Sequence, residues 1–533
     1  MAQDFHLIGP AEALPDGGRT EVGNKAWNLM RMARAGLPVP PGFVLPTGWC
    51  RRLRDGNAKE ADVQEALSAG MSALEEASGR SFGGARKPLL VSVRSGTAVS
   101  MPGMMETVLD VGLNAPVVEA LIRDTGNPRL AWDSYRRFIQ GYAEVVALLP
   151  TPPFDAAVRA AVKEAGMQSE QDLDFRALRN LCQALLRVYH EEAGDPFPED
   201  PAEQLLRVAL AVFRSWDAPK AASYRRLNGL DDAIGTAVTV QMMVFGNAGG
   251  ASGAGVAFTR DPATGEPALY ADFQFNGQGE DVVAGRSSTG GAEDLRRRLP
   301  AVWEALENAA HALERLFRDA QDLEFTVQAG QLFLLQARDA KRTPWAALRI
   351  AVDLVQEGLI PPADAMKRLA HVDLTALTRT RFDAGDAKPL ATASAAGLGV
   401  AVGAIALDAE ALERLGLHGD PVILVRHDTS TADIEAIAKA AGLLTAAGAR
   451  TAHAAVVARQ LGKVCLVGCE ALTIDLDRRR CRIGEAWLQE GDVLSVDGNS
   501  GTIYAGALPV VAERPERELA VLAAWHKAET VPG

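Results

Sequence analysis

Four clusters in the first 345 residues join charge to flexible backbone in ways that suit phosphate. In "DLEFTVQAGQLFLLQAR", Asp322 and Glu324 alternate, as do Gln336 and Arg338 further on, so each pair shares a face if the stretch is a hairpin around its Ala-Gly turn. Lining a cleft, that hairpin would bring two acids and an arginine together. Such oxygen ligands suit Mg2+ beside substrate phosphates, and an arginine offsets charge on a transferring phosphoryl group. Lys25 lies two residues after a glycine in "GNKAWNL". Arg94 ends a strand-like run in "SVRSGTAVSMPGMMET", ahead of a loop containing Gly103. Tight-loop N–H groups and cationic side chains both stabilise phosphate oxygens, so these two segments read as a polyphosphate cradle. The fourth cluster, "GNAGGASGAGVAFTRDPATGE", is glycine-dense between strand-like runs. Taken singly, each of these residues reads more readily as an ordinary turn or a solvated charge; the set is what points to phosphate.

A different chemistry is suggested by "RTAHAAVVARQLGKVCLVG". Imidazole is a competent nucleophile near neutral pH because much of it is unprotonated. Thr451 is placed as a helix N-cap and Gly462 as the helix stop. His453 then falls in the first turn, where free N–H groups and the positive end of the helix dipole favour a phosphate. The competing reading is a packed core histidine.

Positioning these groups needs several folded units. The chain has 533 residues, which at roughly 150 per domain gives about three or four. Hydrophobic residues are 48% and charged residues 23%, the balance of a globular protein, and the net charge of −13 argues against nucleic acid as a partner. No apolar run of about 18 residues and no signal-like start are present, so the expectation is a cytoplasmic protein without a membrane span. Short strands and glycine-proline punctuation fill the first hundred residues, amphipathic helices follow to about 228, and strands then resume. Cys465 and Cys469 are four apart; "KVCLVGC" reads as a buried strand rather than half of a metal site.

Long passages, among them "SGTAVSMPGMMETVLDVGLN", "AWDSYRRFIQ", "NGQGEDVVAG" and "AAGARTAHAAVVARQLGKVCLVGC", resemble the pyruvate, phosphate dikinase family. The resemblance implies an α/β and α+β multidomain protein: an ATP-grasp nucleotide-binding domain with a helical insert, then a swivelling β/β/α phosphohistidine domain. The expected bounds are 1–110 and 229–345 for the ATP-grasp halves, 111–228 for the insert, 346–385 for a helical linker, 386–511 for the phosphohistidine domain and 512–533 for a tail. Carried over residue by residue, Lys25, Arg94, Gly103, Asp322, Glu324, Gln336 and Arg338 match nucleotide positions. Glu324 and Gln336 fall to Mg2+, Arg136 to phosphate, and His453 to the phosphorylated histidine, with Arg94 and Arg338 assisting transfer. The family commonly has "SRGGMTSH" where this sequence has "AAGARTAH", so hydroxyl and guanidinium groups are missing before the histidine while Arg450 adds a cation. The family's pyruvate- and phosphoenolpyruvate-binding barrel has no counterpart in these residues. Expected partners are ATP, AMP and phosphate, with a separate barrel subunit as acceptor; a different acceptor, a non-catalytic nucleotide-binding subunit and a homodimer stay open.

Overall fold

The structure, a computed structural model, describes residues 4–99, 101, 106–279, 291–375, 377–428, 433–448, 457–458 and 461–530. Two compact units divide the chain: 1–252 with 326–337, and 253–325 with 338–533.

The first unit is built on strands β1 (His6–Ile8), β2 (Gly42–Leu45), β5 (Val91–Gly96), β6 (Thr107–Val111) and β7 (Ala237–Met242), in the order β1-β2-β7-β5-β6, with a ribbon of β3 (Ser81–Phe82) and β4 (Pro88–Leu89) beside them. Every neighbouring pair in the sheet is antiparallel. Its helices are α1 (Gly18–Arg34), α2 (Thr47–Arg54), α3 (Glu60–Ser78), α4 (Ala115–Thr125), α5 (Pro128–Val145), α6 (Thr151–Glu164), α7 (Phe175–Ala193), α8 (Pro201–Arg214) and α9 (Pro219–Leu227). Local chemistry explains several starts: Asn114 accepts from Val117 N–H at 2.8 Å and Asn127 from Leu130 N–H at 3.0 Å, each followed by a proline in the first turn. The helices share one apolar core with the sheet, in which Phe43, Val91, Val93, Phe138, Leu185 and Val240 are all buried. The insert seen in the sequence pattern is thus packed into the same core as the strands that flank it.

The second unit opens with β8 (Gly253–Phe258), β9 (Tyr270–Phe275), β10 (Gln321–Gln328) and β11 (Gln331–Asp339), in the order β11-β10-β8-β9; residues 326–337 of this hairpin group with the first unit. The expected Ala-Gly turn is present, with φ of 50° at Ala329 and 79° at Gly330. At the end of β8, Arg260 is buried at 3% exposure and grips Glu314 of the helix Pro300–Phe317 through two hydrogen bonds of 2.9 and 2.8 Å.

Further on come β12 (Arg379–Phe382), β13 (Ala391–Thr392), β14 (Ser394–Gly397), β15 (Val400–Ala406), β16 (Val422–Arg426), β17 (Gly442–Thr445) and β18 (Val464–Val467). They are followed by β19 (Leu472–Asp475), β20 (Arg480–Ile483), β21 (Ala486–Gln489), β22 (Val493–Asp497), β23 (Thr502–Ala505) and β24 (Val510–Glu513). Eight of these form one sheet, β13-β23-β22-β15-β16-β17-β18-β14, with β15 through β18 parallel. Strand alternation buries both faces: Val422 and Leu424 join one cluster with the helices Ala409–Leu415 and Ile434–Lys439, while Ile423 and Val425 join another with Cys481 and Ile483 of the β19–β21 sheet. The layers are therefore small sheet, large sheet and helices, the β/β/α arrangement expected. Cys465 packs on the helical face and Cys469 on the opposite one.

Both ends of this domain return together. β12 pairs antiparallel with β24, and the last helix, Glu516–Thr530, buries Leu522 among Leu348, Ile350 and Leu354. The sequence pattern makes that helix a charged tail; its apolar stripe is instead a docking face. In the same domain Asp408 caps its helix, accepting from Ala411 N–H at 2.7 Å, and pairs with Arg479. The Arg479 hydrogen bond holds the Asp408 carboxyl below its ordinary value. A depressed carboxyl stabilises the fold above its unfolded pKa, and the effect is lost as pH falls through the folded value. Asp408→Ala is expected to cost about 1–2 kcal/mol at pH 7 in urea unfolding, a difference that shrinks as pH falls through the folded value of Asp408.

Candidate functional site

In the first unit, α1 is interrupted at Gly23, whose φ of 76° and ψ of 155° are non-helical. A Cβ there would stand 2.5 Å from the carbonyl carbon of Gly96, so only glycine lets α1 approach the end of β5. One residue on, Asn24 N–H donates to Thr97 O at 2.9 Å. This docking brings the helix carrying Lys25 against the strand end that follows Arg94. Arg94 itself lies in register with Thr107 of β6 and Thr239 of β7, and both cationic residues are half-buried. A second tie comes from Asn28, buried at 7% exposure, whose Nδ2 donates to Ala337 O at 2.8 Å, between Gln336 and Arg338. Sequence reasoning singled out neither Gly96 nor Asn28; the glycine pair in "GNK" and "RSGT" was the available signal. Gly23→Ala is expected to cost about 1–3 kcal/mol through overpacking and to weaken nucleotide binding at the same time, as urea unfolding and a nucleotide titration would show.

In the second unit, Asp322 of β10 is 9% exposed and accepts from Arg338 Nε at 2.7 Å. Burial pushes the Asp322 carboxyl above its ordinary value, and Arg338 opposes that rise. The Arg338 side chain is 45% exposed, with its outer guanidinium nitrogens beyond the bond to Asp322. Glu324 on β10 is half-buried, as is Gln336 on β11, which groups with the first unit.

Arg136, expected from the resemblance to handle phosphate, lies within the helical layer. It is buried on α5, bonding Asp133 Oδ1 at 2.8 and 3.1 Å and Gln140 Oε1 at 2.8 Å, with Glu170 3.5 Å away. Although burial alone would raise the Asp133 carboxyl, Arg136 and Arg137 outweigh it and hold it below its ordinary value. The Arg136 donors face acceptors of the helical layer, which makes it an organising residue there.

Gly103, Thr451 and His453 lie outside the described residues. The approach to His453 is described as far as Gly448. Beyond β17 the chain keeps pairing with its neighbour, Ala446 N–H donating to Arg426 O at 3.0 Å and Ala447 N–H to His427 O at 2.7 Å, while Thr445 Oγ1 donates to Ala447 O at 2.6 Å. The two alanines thus hold the flank by backbone alone. Gly462, the expected helix stop, has φ of 64°.

Comparison with known proteins defines the class. Residues 58–290 match the family described as pyruvate phosphate dikinase, AMP/ATP-binding domain, and residues 418–501 match PEP-utilising enzyme, mobile domain. The chain is 42% identical over 493 residues to pyruvate, phosphate dikinase of Clostridium symbiosum, covering 92% of this chain and 56% of that protein. It is 40% identical over 508 residues to the chloroplastic pyruvate, phosphate dikinase 1 of Zea mays (95% and 54%), and 39% identical over 543 residues to the Rhizobium meliloti (strain 1021) enzyme (99% and 60%). It is therefore a homologue of the pyruvate, phosphate dikinases that carries their ATP-binding and mobile domains, and it spans a little over half the length of these relatives. No helix among the described residues is long and apolar enough to cross a membrane.

Proposed function

We propose that the chain binds MgATP and transfers a phosphoryl group to His453 in dikinase fashion. A nitrogen of His453 attacks the β-phosphorus and AMP departs; the γ-phosphoryl passes to inorganic phosphate to give pyrophosphate, leaving one phosphoryl on the histidine. The observation that carries this reading is the corner formed by Gly23 and Gly96, which docks the Lys25 helix on the strand of Arg94; that strand, though not the helix, lies inside the region matched to an AMP/ATP-binding domain. Lys25 and Arg94, with the loop of Gly103, hold the phosphates; Arg338, steadied by Asp322, offsets charge on the transferring group. Glu324 and Gln336 offer a carboxylate and an amide oxygen, a hard donor pair that fits Mg2+ completed by phosphate oxygens and water. When bound, that ion supplies charge neutralisation of the phosphates.

The mobile domain, with the bounds 386–511 expected from the sequence, then carries phosphohistidine to an acceptor. The relatives' names point to pyruvate, and in our reading pyruvate is held on a barrel provided by a separate subunit. The cell compartment is read as the cytoplasm. The flank Ala446–Ala447, without side-chain donors, favours a second reading in which nucleotide binds without turnover. AMP release from ATP that depends on added phosphate supports the dikinase reading; nucleotide binding with no AMP under any condition, even with a pyruvate-binding barrel supplied in trans, supports the second.

A further inference from the structure

The first unit contains a cleft that none of the nucleotide residues lines. Its volume is about 840 Å³, and it lies between the starts of α1 and α2 and the segment after β5. Arg19 and Arg51 reach it from the two helices, and Val99 and Ile234 give it an apolar wall. The floor is fixed by Thr47 Oγ1, which donates to Thr20 O at 3.0 Å and so ties α2 to α1.

The charges in the cleft are unequal in their engagement. Glu21 also lines it, but one carboxylate oxygen lies 2.8 Å from His6 Nε2 and the other accepts from Gly17 N–H at 3.0 Å. The side chains of Arg19 and Arg51, by contrast, make no ion pair or hydrogen bond with any of the described residues. Two guanidinium groups without acceptors among the described residues, in one concave site of a chain of net charge −13, form a local reversal of sign. Guanidinium groups match carboxylate and phosphate oxygens in geometry as well as charge. The kink at Gly23 separates Arg19 from Lys25, and of the cradle segments only Ala98 and Val99 line the cleft.

We propose that this cleft binds a small organic dianion, one charged group on Arg19 and the other on Arg51, with the carbon skeleton against Val99 and Ile234. The inference does not rest on the dikinase reading, since neither arginine is assigned to nucleotide. Its charged groups are carboxylate or phosphate, which two probes separate: succinate and phosphoglycolate. Each is titrated calorimetrically into the full chain and into Arg19→Ala and Arg51→Ala, both at exposed positions whose melting temperatures should match the parent. At least one probe is expected to bind, and each variant to weaken it about tenfold or more, the loss expected for one charge-assisted contact. Affinity should stay within about twofold when ATP is saturating. Failure of both probes to bind at about 10 mM overturns the proposal. So does unchanged affinity in the two variants, or displacement of the probe by ATP.

Discussion

Arg338→Ala is expected to lower the rate of ATP-dependent phosphoryl transfer by about 10²–10³-fold, the usual effect of removing one donor that stabilises charge in the transition state. Its Nε is held by Asp322 at 2.7 Å, and its side chain is 45% exposed near the end of β11. A side chain so oriented contributes more as charge develops on the transferring group than when ATP merely binds, so kcat should fall much further than KM rises. Arg338→Lys should recover little, because an ammonium cannot hold Asp322 and reach phosphate with a planar fork. Removal of the arginine also takes away the main influence opposing the burial-driven rise of the Asp322 carboxyl. The acid limb of any pH profile in which ionised Asp322 is needed should therefore move to higher pH in the variant. Steady-state kinetics across pH checks both effects.

The largest stability loss is expected at Glu314. Arg260 is buried and bonds Glu314 twice and Glu357 once, at 2.6 Å, while Thr259 Oγ1 donates to Glu314 at 2.7 Å. Burial opposes the charge on Arg260, but the hydrogen bonds to Glu314 and Glu357 more than offset it and keep the group protonated. Glu314→Ala leaves that buried cation only the more exposed Glu357 and, at 3.8 Å, Asp353, and removing one partner of a buried pair costs about 3–5 kcal/mol. Thr259 N–H also donates to Gln321 O at 2.9 Å at the start of β10, so the loss reaches the strand that carries Asp322. Urea unfolding should show a lower midpoint for Glu314→Ala. In Arg260→Met/Glu314→Leu, where the buried pair is gone and Glu357, 42% exposed, can turn to water, most of the loss should be recovered.

Much of this was legible locally. Alternating apolar letters identified β8, β9 and the β10–β11 hairpin, and capping residues such as Asn114 and Asn127 mark helices where the periodicity begins. The motif resemblance located the ATP-binding and mobile domains. What local pattern does not encode is which distant segments meet. The bond from Asn28 to Ala337 spans 309 positions, and the approach of Gly23 to Gly96 is a fact of packing. Arg136 illustrates the same limit: "SYRRF" offers two adjacent cations about 100° apart on a helix, and only the fold shows that both turn onto Asp133 while Arg136 also takes Gln140. The last helix likewise reads as charged until its partner, the helix Pro344–Gln356, is in place.

The central claim is that His453 carries a phosphoryl group taken from the β position of ATP. Incubating the purified chain with ATP labelled at that phosphorus, with and without phosphate, and repeating the experiment with His453→Ala, tests it most directly. Acid-labile label is expected on the parent chain and none on the variant. A parent chain that acquires no such label, or a variant labelled equally, would contradict the claim.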